Sequence, residues 1–213
     1  MKRVVIGAHL DREDIEPLAT AIAASDVFLS AMLVADDQPL GDRELLIRVA
    51  KMRGLLLDRA TFVAIRYGFS SLTDEEAAAK CAPHTRRWRD LLEKHRNHVE
   101  MTLKIAVASP QKRPDRREFT SGGEYLKALH AAREAAVVDD SFRGAAETLF
   151  AGATKTRWLH RDAASIELAA LVPRAGVESC FTAAADLKQR FAHVPFLLSG
   201  PWPLEVFADA DDE

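Results

Sequence analysis

Long hydrophobic runs, paired cysteines and catalytic constellations are all scarce in this chain. No apolar stretch approaches the roughly 20 residues of a membrane-spanning helix. A membrane protein built on such helices is therefore excluded. The opening Met1-Lys2-Arg3-Val4-Val5-Ile6-Gly7 holds too short an apolar run for a signal peptide, and Asp11 and Glu13 follow at once. The two cysteines, Cys81 and Cys180, stand alone without CxxC spacing. Both read as reduced and structural, as expected of a cytoplasmic protein. A net charge of -3 leaves no basic excess for general affinity to nucleic acid or an anionic membrane.

The chemical motifs are missing too. Gly122-Gly123 is not followed by Gly-Lys-Ser/Thr, so no phosphate loop is expected there. His95 and His98 form an i, i+3 pair without a nearby third ligand, and both are expected to be solvent-exposed. His9 with Asp11, and His84 alone, are weaker candidates for metal. No Ser/His/Asp order and no carboxylate pair stands out as a catalytic set. The polar positions along Val99–Val107 carry no aromatic side chains on which RNA bases could stack. The reading is of a chain with no catalytic residue, metal or cofactor.

What is present is an ordinary globular balance over 213 residues, 48% apolar and 29% charged, long enough for one large or two small cores. Residues 2–7 and 28–34 read as strands. Asp14 to Ala24 has helical spacing in Ile15, Leu18, Ala19 and Ile22. Arg43 to Ala60 is a helix whose apolar face holds Leu45, Leu46, Val49, Met52, Leu56 and Leu57, with Gly54 inside it. Thr61–Phe69 is rich in strand formers. Thr73-Asp74-Glu75-Glu76 is a capping box opening a helical region that breaks at Pro83.

Val99 to Val107 alternates strictly, as a half-buried strand does. On its polar face Glu100 and Lys104 read as a solvated surface or a partner contact. Ser109–Glu118 is a polar, proline-containing connection, read as mobile. Ser121-Gly122-Gly123-Glu124 is a second capping box, and its helix runs toward Phe150 with possible breaks at Ser141 and Gly144. Lys155–His160 and Ser165–Val172 are strands with a hairpin turn between them. Val177 to Phe191 is a helix burying Val177, Phe181, Ala184, Leu187 and Phe191, and Val194–Leu198 is the last strand. From residue 99 the order is β-α-β-β-α-β. The expected fold class is α+β, with two domains: residues 1–98, and a modified ferredoxin-like domain over residues 99–213.

The chain closes on Ser199-Gly200-Pro201-Trp202-Pro203 and then Leu204-Glu205. Two prolines fix the backbone and remove two donors, so this corner suits the end or edge of a sheet, with Trp202 packed against it. It resembles the Thr-Gly-Pro-Trp-Pro-Pro-Tyr signature of the GvpL/GvpF family of gas vesicle proteins. Four other stretches resemble that family in the same order. They are Phe62–Phe69 with Arg66 and Gly68, Val99–Ile105 with Glu100, Ser121–Leu126 with Tyr125, and Leu171-Val172-Pro173-Arg174 with Pro173. The resemblance implies a non-enzymatic accessory protein of gas vesicle assembly, without cofactor. It would bind the small hydrophobic shell protein GvpA and other gas vesicle proteins, and its motif positions would be Arg66, Gly68, Glu100, Tyr125, Pro173, Gly200, Pro201, Trp202 and Pro203. The alternative is a small-molecule-binding or enzymatic ferredoxin-like protein of the cytosol.

Overall fold

Alternating and continuous apolar runs build two sheets. The computed structural model describes residues 1–106, 114–134, 138–160 and 165–209. Its elements are β1 (Lys2–His9), β2 (Thr20–Ala24), β3 (Val27–Val34), α1 (Arg43–Arg59), β4 (Val63–Ala64), β5 (Ser70–Ser71), α2 (Asp74–Cys81), α3 (Thr85–Lys94), β6 (His98–Ala106), α4 (Gly122–Glu134), α5 (Asp140–Leu149), β7 (Lys155–His160), β8 (Ser165–Pro173), α6 (Val177–Arg190), β9 (Phe196–Trp202) and α7 (Val206–Asp209). The chain falls into two compact units: Met1–Val99 with the segment from Trp202 on, and Glu100–Pro201.

In the first unit the strands run in the order β2-β3-β1-β4, with β5 also paired to β1. All of these pairings are antiparallel. β1 is buried on both faces, which is why Val4-Val5-Ile6 reads as an unbroken apolar run. Val4, Ile6, Leu29, Leu45, Leu56, Phe62 and Leu92 are fully buried and form the centre of this core. Gly54 sits exposed inside α1 with open space where a Cβ would go. Gly54→Ala is therefore expected to stabilise the chain by about 0.5–1 kcal/mol in urea unfolding, because it restricts the unfolded state without a clash.

The second unit has the order β7-β8-β6-β9. β7 and β8 pair antiparallel, Lys155 opposite Leu171 and His160 opposite Ile166. β6 and β9 also run antiparallel: Ala106 N–H donates to Pro195 O at 2.9 Å, while four residues back in β6, Thr102 O accepts from Ser199 Oγ at 3.3 Å. Met101, Leu103 and Ile105 of β6 and Leu168, Ala170 and Val172 of β8 face Phe142, Ala146 and Leu149 of α5 and Cys180, Ala184 and Leu187 of α6.

Several expectations are corrected. Asp14–Ala24 is no helix: a single 3-10 turn at Arg12–Asp14 leads through Pro17 into β2. Pro17 lacks the N–H and clashes with the preceding turn of any helix it interrupts. Thr61–Phe69 yields only the two residues of β4. Leu46 and Phe181 are exposed, and Cys180 takes the inward position on α6. The helix expected to reach Phe150 is two helices. Asp139 starts the second, its carboxylate accepting from Ser141 and Phe142 N–H at 3.0 and 3.2 Å, and α5 continues through Gly144. Of the mobile connection placed at Ser109–Glu118, residues 109–113 lie outside the described residues, as does the whole hairpin turn at 161–164, while Arg116–Glu118 forms a 3-10 turn capped by Asp115. The capping box at Ser121 forms in full: Glu124 N–H donates to Ser121 Oγ at 3.1 Å while Ser121 N–H donates to Glu124 Oε2 at 3.3 Å. At Thr73 one half forms, Glu76 N–H donating to Thr73 Oγ1 at 3.1 Å, while the Glu76 carboxylate accepts from Leu72 N–H at 2.7 Å, one residue before the cap.

Candidate functional site

The C-terminal corner begins where β9 meets β6. Gly200 has φ +128, and a Cβ there would lie 2.6 Å from Met101 Sδ and 2.9 Å from Glu100 O. Only glycine combines that backbone conformation with that approach. The β9 side chains alternate. Phe196 and Leu198 lean on the core, so Leu197 points to the opposite face, where it is 64% exposed. Trp202 is 49% exposed, not packed as the sequence predicts. Trp202→Ala is accordingly expected to cost about 1–2 kcal/mol, below the 3–5 kcal/mol of a buried aromatic. A urea titration checks this. Glu100 is 2% exposed, so it belongs to no solvated face, and the polar-face reading holds only for Lys104. Lys104 lies 3.8 Å from Glu167 on neighbouring β8.

Beyond Trp202 the chain rejoins the first unit. Pro203 is buried and Leu204 fully so. Leu204 N–H donates to Phe62 O and Leu204 O accepts from Ala64 N–H, both at 2.9 Å. Arg53 of α1 donates to Ile65 O, and burial lowers its pKa while the nearby Glu205 carboxylate raises it. Arg66 is exposed and forms no ion pair among the described residues. Gly68 occupies a turn closed by Phe69 N–H to Arg66 O at 3.4 Å, with φ +100. Tyr67 OH donates to Leu40 O.

The remaining motif positions are dispersed. Tyr125 on α4 is half-buried, 5.9 Å from the Phe119 ring and 5.9 Å from the Arg116 guanidinium. Pro173 ends β8 and leads into the turn Arg174–Gly176. Of the family-like positions, Gly68, Pro173 and the Gly200–Pro203 corner shape turns or strand ends, whereas Glu100 is buried inside β6 and Tyr125 packs on α4.

The titratable groups argue in the same direction. His9 is fully buried, stacked on Phe62 at 4.8 Å, with Nε2 3.0 Å from Ser30 Oγ. Burial pushes its pKa down to about 3. His95, expected at the surface, is 2% exposed and meets the His98 ring edge-on at 5.1 Å. Burial lowers the pKa of His98 as well. Burial pushes the Cys81 thiol up to about 11 and raises that of Cys180, which makes both poor nucleophiles near neutral pH. Among the described residues no three His, Cys, Asp or Glu side chains group as metal ligands, and no helix is long and apolar enough to cross a membrane. Sequence reasoning did not single out Leu197 or Leu204. The signal for Leu197 was its odd position in a strand whose even positions are apolar.

The comparisons bear on the whole chain. The crystal structure of the gas vesicle protein GvpF from Microcystis aeruginosa is similar with a TM-score of 0.71 at 12% identity, over 98% of this chain and 99% of that one. GvpF from Anabaena sp. PCC7120 is similar with a TM-score of 0.67 at 14% identity, over 99% and 98%. At such identities the likeness is one of fold. No curated protein sequence matches the chain. Residues 19–208 match the family described as gas vesicle synthesis protein GvpL/GvpF. A match of that extent includes the first sheet from β2 on, the whole second sheet and the Gly-Pro-Trp-Pro corner, and the chain belongs to the GvpL/GvpF family.

Proposed function

We propose that the protein is a non-enzymatic accessory factor of gas vesicle assembly. In this reading it associates with gas vesicles in the cytoplasm and binds the GvpA-like shell subunit and other gas vesicle proteins. The two compact units are taken as two domains, the second a modified ferredoxin-like domain. The strand order β7-β8-β6-β9, with α5 and α6 on one face, supports that.

The observation that carries the binding role is β9. It is the end strand of its sheet. Ala106 bonds to Pro195, so in an antiparallel ladder Phe196, Leu198 and Gly200 turn their backbone groups away from β6. Leu197 adds an exposed aliphatic side chain beside that edge. A partner strand can bond to the edge while an apolar side chain sits against Leu197, as in recognition by strand addition. A small hydrophobic shell subunit needs such cover before it polymerises. The non-enzymatic reading draws on the placing of Gly68, Pro173 and Gly200 to Pro203 in turns and strand ends, and on the burial of His9, Cys81 and Cys180.

The test is co-expression with a GvpA-like subunit, followed by purification and mass spectrometry of everything retained. The expected result is a stable complex with shell or accessory subunits. Retention of a stoichiometric metabolite with no gas vesicle subunit would overturn the proposal.

A further inference from the structure

Helix α1 turns to solvent a face that is complementary to its own reverse. Leu45, Val49 and Leu56 are buried beneath it. At 3.6 residues per turn the opposite side carries Arg43, Ile47, Ala50, Gly54 and Asp58, and all five are exposed. Ile47 is 46% exposed, and Leu46 and Leu55 on the two flanks of this stripe are 42% and 48% exposed. Among the described residues no other helix exposes more than one large apolar side chain. Gly54 leaves a notch in the stripe, since nothing lies within 4 Å of the place its Cβ would take. The charges at the two ends of the stripe oppose the helix dipole. Arg43 is the first helical residue and Asp58 the last but one, whereas a helix favours an anion at its start and a cation at its end. Glu44 and Arg59, which sit off the stripe, follow that preference. Neither Arg43 nor Asp58 makes an ion pair among the described residues.

An antiparallel copy of the same helix removes that conflict. Reversal about the midpoint between Ala50 and Lys51 sets Arg43 opposite Asp58 and Ile47 opposite Gly54, because the members of each pair are equally far from that midpoint. Arg43 then lies beside the negative end of the facing helix and meets its carboxylate, and Ile47 enters the notch at Gly54. The two-fold operation repeats both contacts at the other end, as an isologous interface requires. A partner of different sequence would need no face that is complementary to itself. We propose that α1 is a self-association face, on which a second copy of this chain docks its own α1 antiparallel through two Arg43–Asp58 pairs and two Ile47–Gly54 contacts. The face spans one side of a 17-residue helix. It buries less than the roughly 1,000 Å² of a stable interface, so the dimer is weak and forms as concentration rises. This inference is independent of the gas vesicle reading above.

The experiment uses the full-length protein. Sedimentation equilibrium should show monomers and dimers in proportions that follow concentration. Arg43→Asp alone and Asp58→Arg alone should each weaken the dimer at least about tenfold, because both end pairs then carry like charges. Both substitutions agree with the helix dipole, so each variant should melt no lower than the wild type. An equal mixture of the two variants should dimerise within about threefold of the wild type, since every end pair again joins opposite signs. In the wild type an amine-reactive cross-linker, applied to mixed isotope-labelled and unlabelled chains, should join Lys51 of one copy to Lys51 of the other, because Lys51 lies beside the midpoint of the reversed pair. Monomers alone at high concentration, a dimer indifferent to the single substitutions, or a mixture of folded variants that stays monomeric would each overturn the proposal. If either variant does not fold, the Lys51 cross-link in the wild type decides: its presence supports the antiparallel pair and its absence overturns it.

Discussion

Acidification from pH 6.5 to about pH 4.5 is expected to cost the folded chain about 2 kcal/mol through His9, at about 1.4 kcal/mol for each pH unit once the unfolded imidazole is fully protonated. The folded state holds His9 neutral, with its pKa pushed down by burial from 6.5 to about 3. The unfolded chain protonates it near 6.5, so between those values the unfolded state binds more protons. Stability therefore rises with pH across that window. The contribution is fully present above pH 6.5 and is lost as pH falls toward 3, to a total of about 5 kcal/mol. Capping carboxylates add acid sensitivity lower down. Glu76, bonded by Lys80, Glu124, bonded by Thr120, and Asp139, bonded by Ser141, are all held below their usual range. Their contribution is lost only below about pH 4. In the upper part of the window His9 acts together with His98, whose pKa burial also lowers. Urea unfolding from pH 7.5 down to 4.5 should show the slope in the wild type, and His9→Phe, which keeps an aromatic ring on Phe62, should make it clearly shallower. A flat wild-type profile would mean that His9 is not buried as described.

Gly200→Ala is expected to destabilise by about 3–5 kcal/mol, adding backbone strain at a positive φ to the overlap of a new Cβ with packed neighbours. The φ of +128 disfavours any L side chain, and the Cβ would enter within 3 Å of both Met101 Sδ and Glu100 O. The sulfur can swing aside, but the carbonyl belongs to the strand that β9 pairs with. Gly152→Ala is the control, since nothing lies within 4 Å of its added Cβ. A measured loss below about 1 kcal/mol for Gly200→Ala would contradict the close packing of β9 on β6.

The fold was legible where local pattern and tertiary environment agree. Val99, Met101, Leu103 and Ile105 alternate in sequence and are all buried. The caps at Thr73 and Ser121 depend on residues three apart and need no tertiary information. Sequence reasoning failed where spacing served two readings. Ile15, Leu18, Ala19 and Ile22 fit a helical face, yet Ala21-Ile22-Ala23-Ala24 pair with β3, and Pro17 was the contrary signal. The polar residues were misplaced because burial of a polar group is a long-range fact. Nothing near Glu100 or His95 in sequence announces that other elements enclose them. Trp202 went wrong in the opposite sense: a tryptophan between two prolines reads as packed, but the chain turns there from one unit to the other and leaves the indole half-exposed. The family-like motifs were readable, whereas the exposed edge that carries the proposed binding role was not, because strand order is not written in local sequence.

The most direct test of the central claim compares binding of wild type and Leu197→Glu to a GvpA-like shell subunit, with melting of both proteins measured alongside. Leu197 is exposed, so the substitution should leave stability within about 0.5 kcal/mol. The account predicts that affinity falls at least about tenfold, as expected when an apolar anchor is replaced by a charge, while Leu126→Glu, equally exposed on α4, leaves it unchanged. Equal binding by wild type and Leu197→Glu, or no binding by either, would contradict it.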